Sequence, residues 1–345
     1  MKFVDYADRG QTSLDTLFHS DDPRQFMNNI YPLESEEQNR VFNYWWIAHL
    51  VDTRVDGYLR TQSHAYRDGA VAAYHYNKKR NYNSLIHEYY DDMLWNALAG
   101  LRLYEVTGLT ACLDDAKAVC ADLFDTAFNL TAGGGYAWKR SQINYKNTPV
   151  NGPLMILALR LYQLDPKPEY LKNSLDILHW LYFTLVDPET EFVNDGINSR
   201  NTMAVDPWAF TYNQGTYIGA LVEFYNVTKD QRYLDHALKC AHTAIDRLGA
   251  TGILLDDGDG GDIGLFKGIL YRYLVLLYKA THETFISDFI TKAVKVLVEN
   301  DFEGETLMAD RNWQPYQPGK AIPLSDEIGA VMSLEAATAL ERYNQ

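Results

Sequence analysis

Asp91-Asp92-Met-Leu-Trp95-Asn-Ala-Leu-Ala-Gly-Leu-Arg-Leu-Tyr104-Glu-Val-Thr107-Gly-Leu-Thr-Ala-Cys112-Leu-Asp-Asp-Ala-Lys-Ala-Val-Cys120 reads as one helical hairpin. Its first half is apolar almost throughout and rich in Ala, Leu and Gly, as a helix packed on several sides requires. Its second half spaces apolar residues at three- and four-residue intervals with charges between them, the pattern of a helix wet on one side. A short link, Gly108-Leu-Thr110, joins the two.

The signature that closes the first half, Tyr104-Glu-Val-Thr107, recurs along the chain. It returns at Tyr58-Leu-Arg-Thr61, Tyr162-Gln-Leu-Asp165, Tyr225-Asn-Val-Thr228 and Tyr278-Lys-Ala-Thr281, with a last tyrosine at Tyr343. An apolar run precedes each copy, which predicts inner helices over about Glu37 to Tyr58, Tyr89 to Thr107, Val150 to Leu164, Tyr212 to Val227, Gly264 to Ala280 and Asp326 to Tyr343. Amphipathic outer helices such as those starting at Leu113, Tyr170, Tyr233 and Phe285 alternate with them. There are five in all, and a sixth near Ser13 to Phe18. Strand signals are sparse, limited to pieces such as Gly135-Tyr-Ala-Trp138. Six hairpins predict an all-α protein, an (α/α)6 barrel of one domain over residues 1–345 with short β pieces in its long loops. An open solenoid of helix pairs is the structural rival.

Composition narrows the function. The 31 basic and 46 acidic residues leave a net charge of −15, which disfavours nucleic acid and anionic membrane as partners. The N-terminal stretch Met1 to Gly10 has no apolar core of a secretory signal, and no apolar run approaches the length of a membrane span. Cys112, Cys120 and Cys240 have no metal-ligand spacing and sit in predicted helices, as reduced, packed thiols. These features together predict a soluble, cytoplasmic protein without cofactor or metal.

Loop lengths say where function sits. Inner-to-outer links are short. Outer-to-inner links are long: about Asn129 to Lys146, Asp187 to Thr211, Gly249 to Asp262 and Asn300 to Ser325. Long loops in a compact domain are usually functional, and these gather where the inner helices begin. The Asp91-Asp92 pair lies at that end. Acids favour helix N-termini as caps and macrodipole partners; two neighbouring carboxylates are also the minimum equipment for splitting a glycosidic bond. Both readings stand at this point.

The long loops carry glycine, aromatic and amide residues. Gly133-Gly-Gly-Tyr-Ala-Trp138 fits either a backbone passing close to a ligand or a tight turn beside a buried aromatic hairpin. Thr211 and Gln214 match a capping box. Asp256-Asp-Gly-Asp-Gly-Gly-Asp262 lacks the spacing of a calcium loop. No nucleophile elbow, zinc helix or dinucleotide fingerprint is present. His49 and His87 are the histidines near the loop end, each more in keeping with a hydrogen-bonded structural role than with catalysis. Carboxylates and aromatics remain, which points to carbohydrate chemistry.

Six segments taken in order, Tyr44-Trp-Trp-Ile-Ala-His49-Leu-Val-Asp52, Tyr90-Asp91-Asp92-Met-Leu-Trp95, Gly133-Gly-Gly-Tyr-Ala-Trp138, Lys146-Asn-Thr-Pro-Val-Asn-Gly-Pro153, Thr211-Tyr-Asn-Gln-Gly215 and Phe266-Lys-Gly-Ile269, resemble glycoside hydrolase family 76, the α-1,6-mannanases. The resemblance implies an (α/α)6 barrel and a retaining mechanism, with Asp91 as nucleophile and Asp92 as general acid and base. It nominates Trp46, His49, Trp95, Gly134, Tyr136, Trp138, Asn147, Asn151, Asp195, Tyr212, Asn213, Gln214, Lys267, Trp313 and Tyr316 as substrate-binding residues. Many such relatives are secreted or membrane-anchored. The lack of an export signal here points instead to short imported α-1,6-manno-oligosaccharides. Hydrolysis or transglycosylation of another α-glycan on the same barrel, and non-catalytic sugar binding, are the alternatives.

Overall fold

The computed structural model describes residues 2–344. Twelve helices run α1 (Phe3–Leu17), α2 (Tyr44–Thr61), α3 (His64–Arg80), α4 (Tyr90–Thr107), α5 (Thr110–Thr126), α6 (Thr148–Leu164), α7 (Pro168–Thr184), α8 (Thr211–Thr228), α9 (Arg232–Leu248), α10 (Phe266–Thr281), α11 (Thr284–Asn300) and α12 (Leu324–Tyr343). Even-numbered helices form an inner ring and odd-numbered helices an outer one. Each inner helix packs on the next, and α12 returns to α2. That contact closes the ring and excludes the open solenoid. The seam is locked by a buried ion pair, Arg60 Nε to Glu335 Oε2 at 2.9 Å. The fold is an (α/α)6 barrel.

Burial explains which helix goes where. Outer helix α9 buries Leu234, Ala237, Cys240, Ala241, Ala244 and Leu248, a single stripe at helical spacing. Inner helix α6 buries nearly every residue from Thr148 to Leu159. Glycine allows the inner helices to touch: a side chain at Gly215 of α8 would meet the backbone of Leu270 in α10 at 2.9 Å. The three cysteines are free and buried.

The recurring Tyr-x-x-Thr is a helix-stop device. In four copies the tyrosine carbonyl accepts the N–H of a left-handed residue just past the helix, from Gln62, Gly108, Lys229 and His282. The threonine hydroxyl then donates back to the preceding turn and accepts an N–H from the link, as Thr107 does with Leu103 and Leu109. Both sets of groups are orphan carbonyls and amides that a helix end must satisfy.

Two boundaries differ from expectation. The first inner helix begins at Tyr44, not Glu37, because Glu36–Asn39 closes into a separate 3₁₀ turn with a capping box between Ser35 and Gln38. The first outer helix covers Phe3–Leu17, well beyond Ser13 to Phe18. Among the described residues the β structure is confined to short pairs, including a three-stranded patch of residues 146–147, 196–197 and 205–206 at the loop end.

Candidate active site

The start of α4 is stitched to the loop that follows α5. Tyr90 N–H donates to the Trp138 carbonyl at 2.9 Å, and Arg140 N–H to the Glu88 carbonyl at 3.0 Å. This pairing lays the Trp138 indole over the first turn of α4, where its Nε1–H donates to Asp91 Oδ2 at 3.0 Å. Asp91 Oδ1 accepts the backbone N–H of Asp92, also at 3.0 Å. Asp91 thus satisfies one orphan amide of the helix N-terminus while keeping its carboxylate in the cleft. Capping therefore does not remove the carboxylate from the cleft.

Asp92 has different company. Its Oδ2 lies 3.6 Å from His87 Nδ1, and that same nitrogen accepts the backbone N–H of Tyr89 at 3.3 Å. Nδ1 is therefore the unprotonated nitrogen. Burial also lowers the His87 pKa, so the imidazole is neutral. Burial, then the charge of Asp91 and that of Asp262, push the Asp92 carboxyl well above the usual carboxylate range. Burial raises Asp91 too, but the N–H donors from Asp92 and Trp138 pull against it. Two adjacent carboxyls are thereby driven apart in proton affinity.

Both lie in a cleft of about 810 Å³ at the N-terminal mouth of the inner ring. Trp45, Trp95, Trp138, Tyr89, Tyr212, Phe266 and Trp208 supply aromatic walls. Tyr212 and Phe266 stack face to face at 3.9 Å. Asp262 anchors one side by accepting the indole N–H groups of both Trp45 and Trp46, at 3.0 and 2.8 Å. On the other side Asp195 accepts the Tyr145 hydroxyl and the Asn213 amide, each at 3.0 Å.

The cleft gathers Asp91, Asp92, Trp95, Trp138, Asn147, Asp195 and Tyr212 from the residues nominated by sequence. The others fall elsewhere. Trp46 is buried, its indole N–H held by Asp262. His49 lies beneath the floor, its ring against Trp45 and Trp95, facing a separate axial cavity of about 190 Å³. Burial holds its pKa down at about 3. Asn151 clamps both backbone groups of Tyr136, and Asn213 positions Asp195. Gln214 makes no capping box. It clamps both backbone groups of Val193, while Thr211 binds the Asp256 carboxylate. Lys267 is buried, donates to the Arg311 carbonyl and lies over the Trp313 ring. Trp313 itself stacks on Tyr271 in the core. Tyr316 packs against the core and takes the Gly319 N–H. Gly134 and Tyr136 line a groove on the outer wall, beside Trp180.

Sequence reasoning passed over Trp45, Tyr89, Tyr145, Asp206, Asp262 and Phe266 in the cleft. Trp45 and Phe266 each sit one residue from a nominated neighbour, so the motifs were legible and the helix face was not. Asp262 had a signal in the acidic loop. That loop spends Asp256 on Thr211, Asp257 on the Ala209 N–H, and Asp262 on the two indoles.

The profile of glycosyl hydrolase family 76 matches residues 12–341. The chain belongs to that family. A Listeria innocua protein of solved structure is 46% identical, covers 99% of each chain and superposes with a TM-score of 0.96. The GH76A α-1,6-mannanase of a Salegentibacter species is 33% identical over 98% of this family 76 chain and 100% of its own, with a TM-score of 0.88. An inactive variant of that enzyme, with two adjacent aspartates substituted, forms a complex with α-1,6-mannotetrose. A mannan endo-1,6-α-mannosidase of Candida albicans is 28% identical over 121 residues, 33% of this chain. The match spans only 27% of that relative's length.

Proposed function

We propose that this family 76 protein is a retaining α-mannoside hydrolase acting on α-1,6-linked manno-oligosaccharides, with Asp91 as nucleophile and Asp92 as general acid and base. The observation that carries this reading is the joint position of the pair at the floor of an aromatic cleft. Asp21-Asp22, Asp91-Asp92, Asp114-Asp115 and Asp256-Asp257 are the adjacent aspartates of the sequence, and of these Asp91-Asp92 lines the cleft. The inactivity of the Salegentibacter variant with two adjacent aspartates substituted supports the same pair here.

The chemistry divides between the two as their environments do. Asp91, held by two N–H donors, is the better anion. It attacks the anomeric carbon as the bond to the leaving oxygen breaks, and protonated Asp92 gives its proton to that oxygen. In the second step Asp92, now a carboxylate, takes a proton from water as the oxygen attacks the same carbon. The Asp91 ester bond breaks, and both residues return to their starting states. Neutral His87 suits this cycle, since a cation there would strip Asp92 of its proton.

Aromatic walls present faces on which the C–H faces of hexose rings stack, and a cleft of this size holds a short oligosaccharide rather than one sugar. A cytoplasmic enzyme working on imported fragments belongs to this reading, and cell fractionation checks it. The deciding experiment is incubation with linear α-1,6-manno-oligosaccharides, with products read by size and, in early time points, by anomeric configuration. Retention of the α configuration is expected. Inversion would remove the double displacement, and silence on the whole series beside turnover of another α-glycan would remove the substrate.

A further inference from the structure

Outside the catalytic cleft, the outer helices α7 and α9 part over α8 and leave a second groove of about 720 Å³. Tyr217 of α8 lies at its base, with Tyr182, Phe183 and His179 on one wall and His236 on the other. Phe183 leaves 73% of its surface in solvent, so its ring is presented rather than packed. A neighbouring groove of about 470 Å³, beside Trp180 and the Gly133-Gly134-Gly135 backbone, shares Asp176 and His179 with it.

Two of its polar side chains, His236 and Tyr217, are held by a third. His236 Nδ1 lies 2.8 Å from Oε1 of Glu191, a side chain only 1% exposed. The other oxygen of Glu191 takes the Tyr217 hydroxyl at 3.0 Å. Glu191 sits at a φ of 60°, a left-handed conformation that a non-glycine residue adopts at a cost. A strained, buried carboxylate thus orients one half-exposed imidazole. With Nδ1 committed, Nε2 is left for a partner from outside.

The remaining charge cancels, because Asp176 is paired with Lys172 at 2.7 Å. An anionic ligand would meet no uncompensated cation in the groove, and a wholly apolar one would leave the oriented imidazole unused. The exposed Phe183 ring beside the oriented His236 imidazole matches a neutral chain with C–H faces and hydroxyl edges. We propose that this groove is a second, non-catalytic glycan-binding site that holds a hexose chain of the kind the cleft cleaves. The inference rests on the function proposed above. It also gives Gly134 and Tyr136 a place, since their segment runs directly on to Trp138 in the cleft.

The test uses the full chain carrying Asp91→Asn and Asp92→Asn, titrated with α-1,6-mannotetraose while the imidazole signals of His179 and His236 are followed by NMR. Saturable shifts of both are expected, lost when Phe183→Ser is added. In the active enzyme, Phe183→Ser and His236→Gln are expected to cleave mannotetraose at the wild-type rate while losing retardation in a mannan-containing native gel. Unmoved imidazoles beside a shifting Trp138 indole signal would overturn the proposal, as would retardation unchanged by Phe183→Ser. Phe183 is too exposed for its loss to unfold the chain, so that arm reads binding alone. If the wild-type enzyme cleaves no α-mannoside, the substrate assignment has failed instead. The same titration with the glycan it does cleave then decides the groove.

Discussion

His87 Nδ1 faces Asp92 Oδ2 at 3.6 Å while accepting the Tyr89 N–H, so Asp92 meets a lone pair and not a proton. A neutral acceptor favours the protonated carboxyl. Replacing His87 by Ala admits water and removes that acceptor, so the Asp92 pKa falls. The alkaline limb of kcat/KM is then expected to move to lower pH, with a loss at neutral pH of about tenfold, a fraction of the roughly 10²–10⁴ that general acid catalysis supplies in full. A cationic His87 would give the opposite sign, with the limb moving up.

The proposed division of labour between the aspartates is separable by leaving group. Asp92→Asn is expected to lose about 10²–10⁴-fold on oligosaccharides. It should recover much of this on an aryl mannoside whose leaving oxygen needs no proton. Asp91→Asn should stay inactive on both substrates. Measured initial rates that reverse this pattern would exchange the two roles.

The Trp138 indole is a charge-assisted donor to Asp91. Phenylalanine keeps a ring packed on Tyr89 and Tyr145 but removes the N–H. A hydrogen bond to a charged group is worth roughly 1.5–3 kcal/mol, so Trp138→Phe is expected to lower kcat about 10- to 100-fold with an unchanged melting temperature. Losing the donor raises the Asp91 pKa, and the acid limb of the pH profile should move up with it.

Stability responds to pH through the barrel axis. Burial by itself would raise Asp52, yet Arg272 and Arg102, at 2.8 and 2.7 Å, hold its pKa at about 2. The folded value lies below the unfolded one of about 4. Its contribution is therefore present above that value and lost as pH falls from about 4 towards 2. Asp52→Asn leaves two partly buried guanidinium groups with Asp56 as their remaining carboxylate. It is expected to cost about 2 kcal/mol, the order set by the displacement of the Asp52 pKa, read by denaturant unfolding at neutral pH, with the difference from wild type shrinking in acid.

Much of the barrel was legible because each hairpin carries its own instructions. Tyr104-Glu-Val-Thr107 ends a helix by local bonds that need no distant partner, and α9 shows its buried stripe in its own spacing. The start expected near Glu37 failed for the complementary reason. The backbone at Asn29 is held by Asn39 and pairs onward to Leu324 near the start of α12. A local reading cannot see a partner so far along the chain.

The sequence by itself determined the helix order, the end of the barrel that carries the long loops, and the carboxylate pair at that end. It did so because helical period, stop signals and loop length are local properties of the chain. Only the tertiary structure decided which member of Trp45-Trp46 or of Phe266-Lys267 faces the cleft, because neighbours on a helix diverge by about 100° and packing selects the face. It alone brought Trp138 to Asp91 and His87 to Asp92. Burial and the charges of Asp91 and Asp262 raise Asp92, the N–H donors of Asp92 and Trp138 pull Asp91 down, and two chemically identical side chains come to differ in proton affinity.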